Sequence, residues 1–164
     1  MAASSATVLT KTIGDELVRL IKANASTTFG LVQFASSQVF GKGITAFPAL
    51  FVIPIQTQVT PGFVTQADYE FREEFRILYV FEHGDSDSAI VTTMFTDTQD
   101  IVAALATDAT LSTLYATTTP DIVVQSSPEL YEWAPEEDQT LTEELGHPVK
   151  AVAIQWVVTW RSGR

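Results

Sequence analysis

Cysteine is absent from the chain. Its absence excludes disulfide bonds, thiolate metal sites and cysteine nucleophiles, and it leaves the redox compartment open. Histidine is scarce as well, and His83 and His147 have no spacing typical of a metal site or of a base in nucleophilic catalysis. The sequence also lacks the HExxH, GxSxG and Walker motifs. We therefore predict a protein that is not an enzyme and that needs no metal or other cofactor.

Long apolar runs and basic residues are also in short supply. The longest apolar stretch, 46–55, is interrupted by Pro48 and Pro54, so we predict no membrane span. The N-terminus has no basic region followed by an apolar core, so we predict no signal peptide. Twenty acidic residues against nine basic ones give a formal charge of −11, which opposes tight binding of a polyanion.

The clearest local pattern is an alternation over residues 69–82, which predicts a long strand because successive side chains of a strand point to opposite faces. One face is almost wholly aromatic and apolar, and it carries Tyr69, Phe71, Glu73, Phe75, Ile77, Tyr79 and Phe81. The other face begins with alternating charges, on Glu70, Arg72, Glu74 and Arg76. Such charges pair across strands or between subunits. A strand of about 45 Å is longer than a small core needs, so we expect part of it to project.

A second alternating stretch covers residues 49–59. It places four apolar side chains on one face, namely Phe51, Ile53, Ile55 and Val59. Pro54 cannot donate to a β-ladder, so this strand should lie at an edge or contain a bulge there. The connection 60–68 is too short for a parallel crossover, which predicts an antiparallel hairpin of the two strands.

One helical segment is predicted on each side of this hairpin. Residues 8–23 form an amphipathic helix whose apolar stripe consists of Leu9, Ile13, Leu17, Leu20 and Ile21. Residues 83–88 have the composition of a loop. Thr96 and Gln99 match a capping box, which predicts a second helix from Thr96 to about Ala106.

The remaining segments complete an α+β order. Asp108 should cap a further turn that brings Leu111, Leu114 and Tyr115 into the core. Residues 29–34 and 120–125 are consistent with short strands, and residues 150–161 alternate strongly. We predict one domain over residues 1–164, with a single antiparallel β-sheet, a long β-hairpin and two α-helices packed on one face.

Three stretches together resemble a known family. They are the helix TVLTKTIGDELVRLIKAN, the helix-turn DIVAALATDATLSTLY and the terminal strand KAVAIQWVVTWR. In these stretches and in the order of its elements, the chain resembles the tail terminator (tail completion, or tail-to-head joining) proteins of long-tailed bacteriophages. The resemblance implies a structural virion protein of the tail and neck, assembled in the host cytoplasm as a ring of six subunits. The ring would cap the tail tube, contact the tail-tube and head-completion or neck proteins, and let DNA pass without specific binding.

The length of the predicted strand and the absence of a catalytic motif also suggest which residues would serve a ring. We expect the hairpin 49–82 to be a main contact between subunits, with interface residues Phe51, Ile53, Glu70, Arg72, Glu74 and Arg76. Residues 129–144 hold seven acidic residues and no basic one, which is typical of a solvated loop. In a ring, Glu136, Glu137 and Asp138 of this segment could instead line the channel and repel the DNA backbone.

Two other functions fit the same sequence. Another neck or tail-tube ring protein would have a similar sheet-and-helix construction. A monomeric α+β domain could instead bind a ligand or a protein in a cleft beside the sheet. The oligomeric state separates the monomeric domain from the ring proteins.

Overall fold

The computed structural model describes residues 3–34, 46–61, 68–82, 87–115, 122–133, 142–143, 146 and 149–163. These residues confirm the α+β class, because helices pack against a single five-stranded sheet. The helices are α1 (Ala3–Asn24), α2 (Asp87–Ala106) and α3 (Ser112–Tyr115). The strands are β1 (Leu31–Phe34), β2 (Ala49–Pro61), β3 (Asp68–Glu82), β4 (Ile122–Trp133) and β5 (Val149–Gly163). None of the described helices is long and apolar enough to cross a membrane.

The strands lie in the order β1-β2-β3-β5-β4. The predicted hairpin is confirmed, because β2 and β3 pair antiparallel along their length, and β5 pairs antiparallel with both β3 and β4. The prediction of a wholly antiparallel sheet needs one correction, because β1 runs parallel to β2. A parallel pair needs a connection of a dozen or more residues, and the segment 35–48 between these strands provides that length.

The main core lies between β3 and the helices. The aromatic side of β3 is buried there as predicted, with Phe71, Phe75, Ile77, Tyr79 and Phe81 in one cluster. The helix stripe is confirmed at Ile13, Leu17, Leu20 and Ile21, while the side chain of Leu9 lies outside the described residues. The even-numbered residues of β5 complete the cluster, with Val152, Ile154, Trp156, Val158 and Trp160 all buried. The period-two pattern therefore predicts the inward face of β3, and the same period holds along β5.

The bulge predicted at Pro54 is confirmed, because the pairing of β2 with β3 shifts register between Pro54 and Gln56. The bulge overturns the prediction that the apolar residues of β2 share one face. Phe51 lies in a small second core on the face away from the helices, whereas Val59 pairs with Phe71 of the helix-covered face. One extra residue in a strand reverses the faces of all residues beyond it.

Helix α2 begins at Asp87, nine residues before the predicted start at Thr96. Capping patterns are local and can occur inside a helix, where tertiary packing decides the outcome. The side chain of Met94 is buried in the main core, and the Thr98 hydroxyl donates a hydrogen bond of 2.7 Å to the Met94 carbonyl. Thr96 is consequently an interior residue of the helix.

The turn after α2 agrees with the prediction. The Asp108 carboxylate accepts hydrogen bonds from the backbone N–H groups of Ser112, at 2.9 Å, and Thr113, at 3.4 Å. Leu111 and Leu114 are buried as expected, and the side chain of Tyr115 lies outside the described residues. Leu111 has a positive φ of 51°, so its burial offsets the cost of a left-handed backbone.

Strand β4 is longer than predicted. The sequence predicts a strand that ends at Gln125 and an acidic loop that begins at Glu129, but β4 continues to Trp133. The sequence of β4 shows no regular alternation of apolar and polar residues, because its pairing with β5 shifts register twice, once after Val123 and once after Pro128. Glu129 and Glu132 therefore lie on a strand rather than in a loop.

Candidate assembly surface

The charged residues of β3, here called the charge ladder, are Glu70, Arg72, Glu74 and Arg76. They lie on the sheet face away from the helices, and all four have ion-pair partners within the chain. Arg72 pairs with Glu74 and with Glu129 of β4. The other two pairs join Arg76 to Glu132 at 3.4 Å and Glu70 to Arg161 at 3.1 Å. Pairing of the ladder charges across strands, one of the two predicted possibilities, therefore occurs within a single chain.

The members of the ladder differ in burial. Glu74 is buried and also accepts a hydrogen bond of 3.2 Å from the Gln155 side chain. Arg76 and its partner Glu132 are about half exposed, with relative side-chain accessibilities of 50% and 56%. Exposed ion pairs contribute about 0.2–1 kcal/mol, whereas a buried carboxylate without its partner is costly. The Arg72–Glu74 pair consequently matters more for the subunit, and Arg76 remains accessible to a partner.

Two residues predicted for the interface are not on the surface. Phe51 and Ile53 are at most 3% exposed and belong to the second core, together with Ala49, Val80, Val149 and Ala151. Their apolar side chains stabilise the subunit itself. The predicted channel residues Glu136, Glu137 and Asp138 lie outside the described residues.

The sheet ends in two open edges within the described part of the chain. On one side, β1 pairs only with residues 49–52 of β2, so no strand of the described ranges lies beyond the outer half of β2. We call residues 53–61 the β2 outer edge. On the other side, β4 is the last strand, and its outward backbone groups are not used by another described strand. Strands with unpaired edges are templates for pairing with another chain.

Three exposed aromatic rings, which we call the aromatic cluster, lie beside the β4 edge. Phe95 of α2 packs on Trp133 with ring centroids 4.7 Å apart, and Tyr131 stacks on Trp133 at 5.6 Å. The three side chains are 36–43% exposed. Sequence reasoning missed this cluster because it placed Tyr131 and Trp133 in an acidic loop, although their spacing of two residues is typical of one strand face.

A buried carboxyl group lies on the opposite, helix-covered face of the sheet. Glu73 is fully buried, and the Thr10 hydroxyl of α1 donates a hydrogen bond of 2.9 Å to its Oε1 atom. Its second oxygen and the Trp160 indole nitrogen are also buried, and neither has a hydrogen-bond partner of normal geometry among the described residues. Burial raises the pKa of Glu73 to about 7, although the nearby Thr10 and Trp160 donors offset part of the effect.

The charge ladder borders an open cleft of about 390 Å³ between β3, β4 and β5. Its lining includes Arg72, Gln125, Ser127, Glu129 and Thr159. The guanidinium of Arg72 already binds two carboxylates, and small-molecule sites are mostly apolar. Within the described ranges, no three His, Asp or Glu side chains lie close enough to hold a metal ion.

The described features of this surface are two strand edges, the charge ladder and the aromatic cluster. The edges and the exposed rings lie at the margins of the sheet, whereas Glu73, whose pKa burial raises to about 7, is enclosed in the core. A search of protein-family models and of curated proteins finds no match to this chain.

Proposed function

We propose that this chain is a structural, non-enzymatic virion protein that assembles into a ring. In this proposal it is a tail terminator of a long-tailed bacteriophage, which caps the tail tube and forms the joint to the head or neck. The ring, with six subunits in the family that the sequence resembles, leaves a channel through which DNA passes without specific binding. Its other partners are the tail-tube protein and the head-completion or neck proteins.

The observation that carries the proposal is the pair of unlike open edges on opposite sides of one sheet. The β2 outer edge and β4 differ in sequence and shape, so the contact between them is heterologous, with one patch meeting a different patch of the neighbour. Heterologous contacts that repeat around an axis generate rings when the rotation closes. A sheet with one free edge would favour a dimer instead.

Two further observations support the proposal. The three stretches that resemble tail terminators form α1, the end of α2 with α3, and β5, so the resemblance covers the helices and a central strand of the sheet. The charge of −11 opposes adhesion of DNA to the protein, as a conduit for DNA requires.

A neck or tail-tube ring protein is the second candidate, and the same two edges favour it. The two candidates differ in how their rings stack. Rings of a tube component stack on one another, and rings of a terminator do not. Discrete rings in solution therefore favour a terminator, and long tubes favour the second candidate.

Light scattering after size exclusion, followed by negative-stain electron microscopy, tests the proposal. We expect closed rings of one size over a range of micromolar concentrations. A stable monomer, both alone and when mixed with assembled tail tubes, would contradict the ring and favour a monomeric binding domain.

A further inference from the structure

We infer that the β4 edge of one subunit pairs with the β2 outer edge of the next, so that the sheet continues across the subunit boundary. The occupant of each open edge is then a second copy of this chain. This inference rests on the proposed ring and names the strands that join it.

The middle of the β2 outer edge, residues 55–60, carries no charged side chain and reads Ile-Gln-Thr-Gln-Val-Thr. Pro54 with the bulge lies at its inner end, and Pro61 lies at its outer end. Proteins normally protect free edges with charged residues, prolines or bulges. Ile55 and Val59 are nevertheless more than half exposed, at 52% and 53%. A neutral edge with exposed apolar side chains is expected where another strand covers it.

β4 does carry protective features, namely Pro128, two register shifts and the exposed Glu129 and Glu132. Its charges select between two ways of pairing. Glu129 and Glu132 lie on β4 and are exposed, so two β4 edges brought together would oppose carboxylates of the same sign. Like charges directly opposite each other destabilise a strand pair. On β2, Gln56 pairs with Glu74 and Gln58 pairs with Arg72, so both amides lie on the same sheet face as the charge ladder. Their N–H groups can donate to the β4 carboxylates, which favours β4 against β2.

The helix-covered face gives a matching apolar contact. Val59 pairs with Phe71, so its side chain lies on the same side of the sheet as the main core. Tyr131 and Trp133 pair with Ile154 and Val152 of the main core, so the aromatic cluster lies on this side as well. A sheet that continues from β4 to β2 brings the exposed valine toward the exposed rings. The contacts on both faces of the sheet are then chemically compatible with pairing of β4 and β2.

The absence of cysteine makes this geometry directly testable by cross-linking. We propose the single variants Val59→Cys and Tyr131→Cys, treated with a short bifunctional maleimide under conditions in which the oligomer forms. Each single variant alone should give no covalent dimer, because the two edges of a heterologous contact are different. An equimolar mixture of the two should give dimers, and the double variant should give a ladder of bands that ends at the ring.

The control pair is Ala23→Cys with Tyr131→Cys, because Ala23 is exposed near the end of α1 and belongs to neither edge strand. It should give no ladder under the same conditions. If light scattering shows a ring but the Val59 and Tyr131 cysteines do not cross-link between subunits, the edge pairing is wrong and the ring proposal stands. If the protein remains monomeric under every condition, both are wrong.

A second variant tests the same contact without cross-linking. Val59→Glu places a carboxylate at the β2 outer edge, and it should raise the concentration at which half of the oligomer dissociates by about tenfold or more. Ala103→Glu adds the same charge at an exposed position of α2 and should leave that concentration within about twofold. Circular dichroism on both variants establishes that they fold. Folded Val59→Glu with unchanged assembly would overturn the inference.

Discussion

Replacing the buried carboxyl group, Glu73→Gln, should stabilise the subunit at high pH and flatten its pH dependence. Glu73 is fully buried on the helix-covered face, where its carboxyl group accepts a hydrogen bond from Thr10. Glutamine has nearly the same shape, keeps an oxygen that can accept from Thr10, and carries no charge at any pH. The substitution therefore removes the ionisation while leaving the packing almost unchanged.

The size of the effect follows from the pKa of Glu73. Burial raises this pKa from 4.5 to about 7, and each pKa unit corresponds to about 1.36 kcal/mol. The folded state binds the proton more tightly than the unfolded state, so the free energy of unfolding falls as the pH rises through this interval and is constant above it. The wild-type protein should lose about 2–3 kcal/mol from this group between pH 5 and pH 8. Glu73→Gln should not lose it.

Urea unfolding at pH 5, 6, 7 and 8 measures the effect, at one protein concentration below that at which oligomers form. The quantity to compare is the difference between the wild-type and variant free energies of unfolding at each pH, because the contributions of groups that the substitution leaves unchanged cancel in that difference. As a control, Glu132→Gln removes an exposed carboxylate and should change stability by less than about 1 kcal/mol. Parallel curves for wild type and Glu73→Gln would refute the reasoning.

Three further substitutions test other parts of the subunit. Asp108→Ala removes the cap of α3 and should lower the free energy of unfolding by about 0.5–2 kcal/mol in urea denaturation, whereas an unchanged value would mean that the cap is dispensable. Arg72→Gln should destabilise the subunit more than Arg76→Gln in thermal melts, because only the first leaves a buried carboxylate short of a partner, and equal losses would contradict this. Gly14→Ala should destabilise by about 1 kcal/mol despite its better helix propensity, since the new Cβ would lie 2.2 Å from the Phe34 ring. A higher melting temperature for Gly14→Ala would show that the ring moves aside without cost.

The local patterns of the sequence determined the strands β3 and β5 and the alternation of their side chains. In β3 and β5 the alternation runs without a register shift, so the side chains of Phe75 and Trp156 point into the core as the period of two requires. The stripe on α1 and the cap at Asp108 are equally local, and the structure contains both. In these segments the preferences of neighbouring residues agree with the tertiary fold.

Only the tertiary structure decided the features that depend on distant partners. The bulge at Pro54 divides the apolar residues of β2 between two faces, the core burial of Met94 keeps Thr96 inside α2, and pairing with β5 extends β4 through the acidic segment. The same holds for the candidate surface, since the open edges follow from the order of the strands. Glu73 is one more carboxylate in the sequence, and its pKa shifts only because α1 and the sheet enclose it. In each of these cases the outcome depends on contacts between residues far apart in the chain, so the local sequence does not determine it.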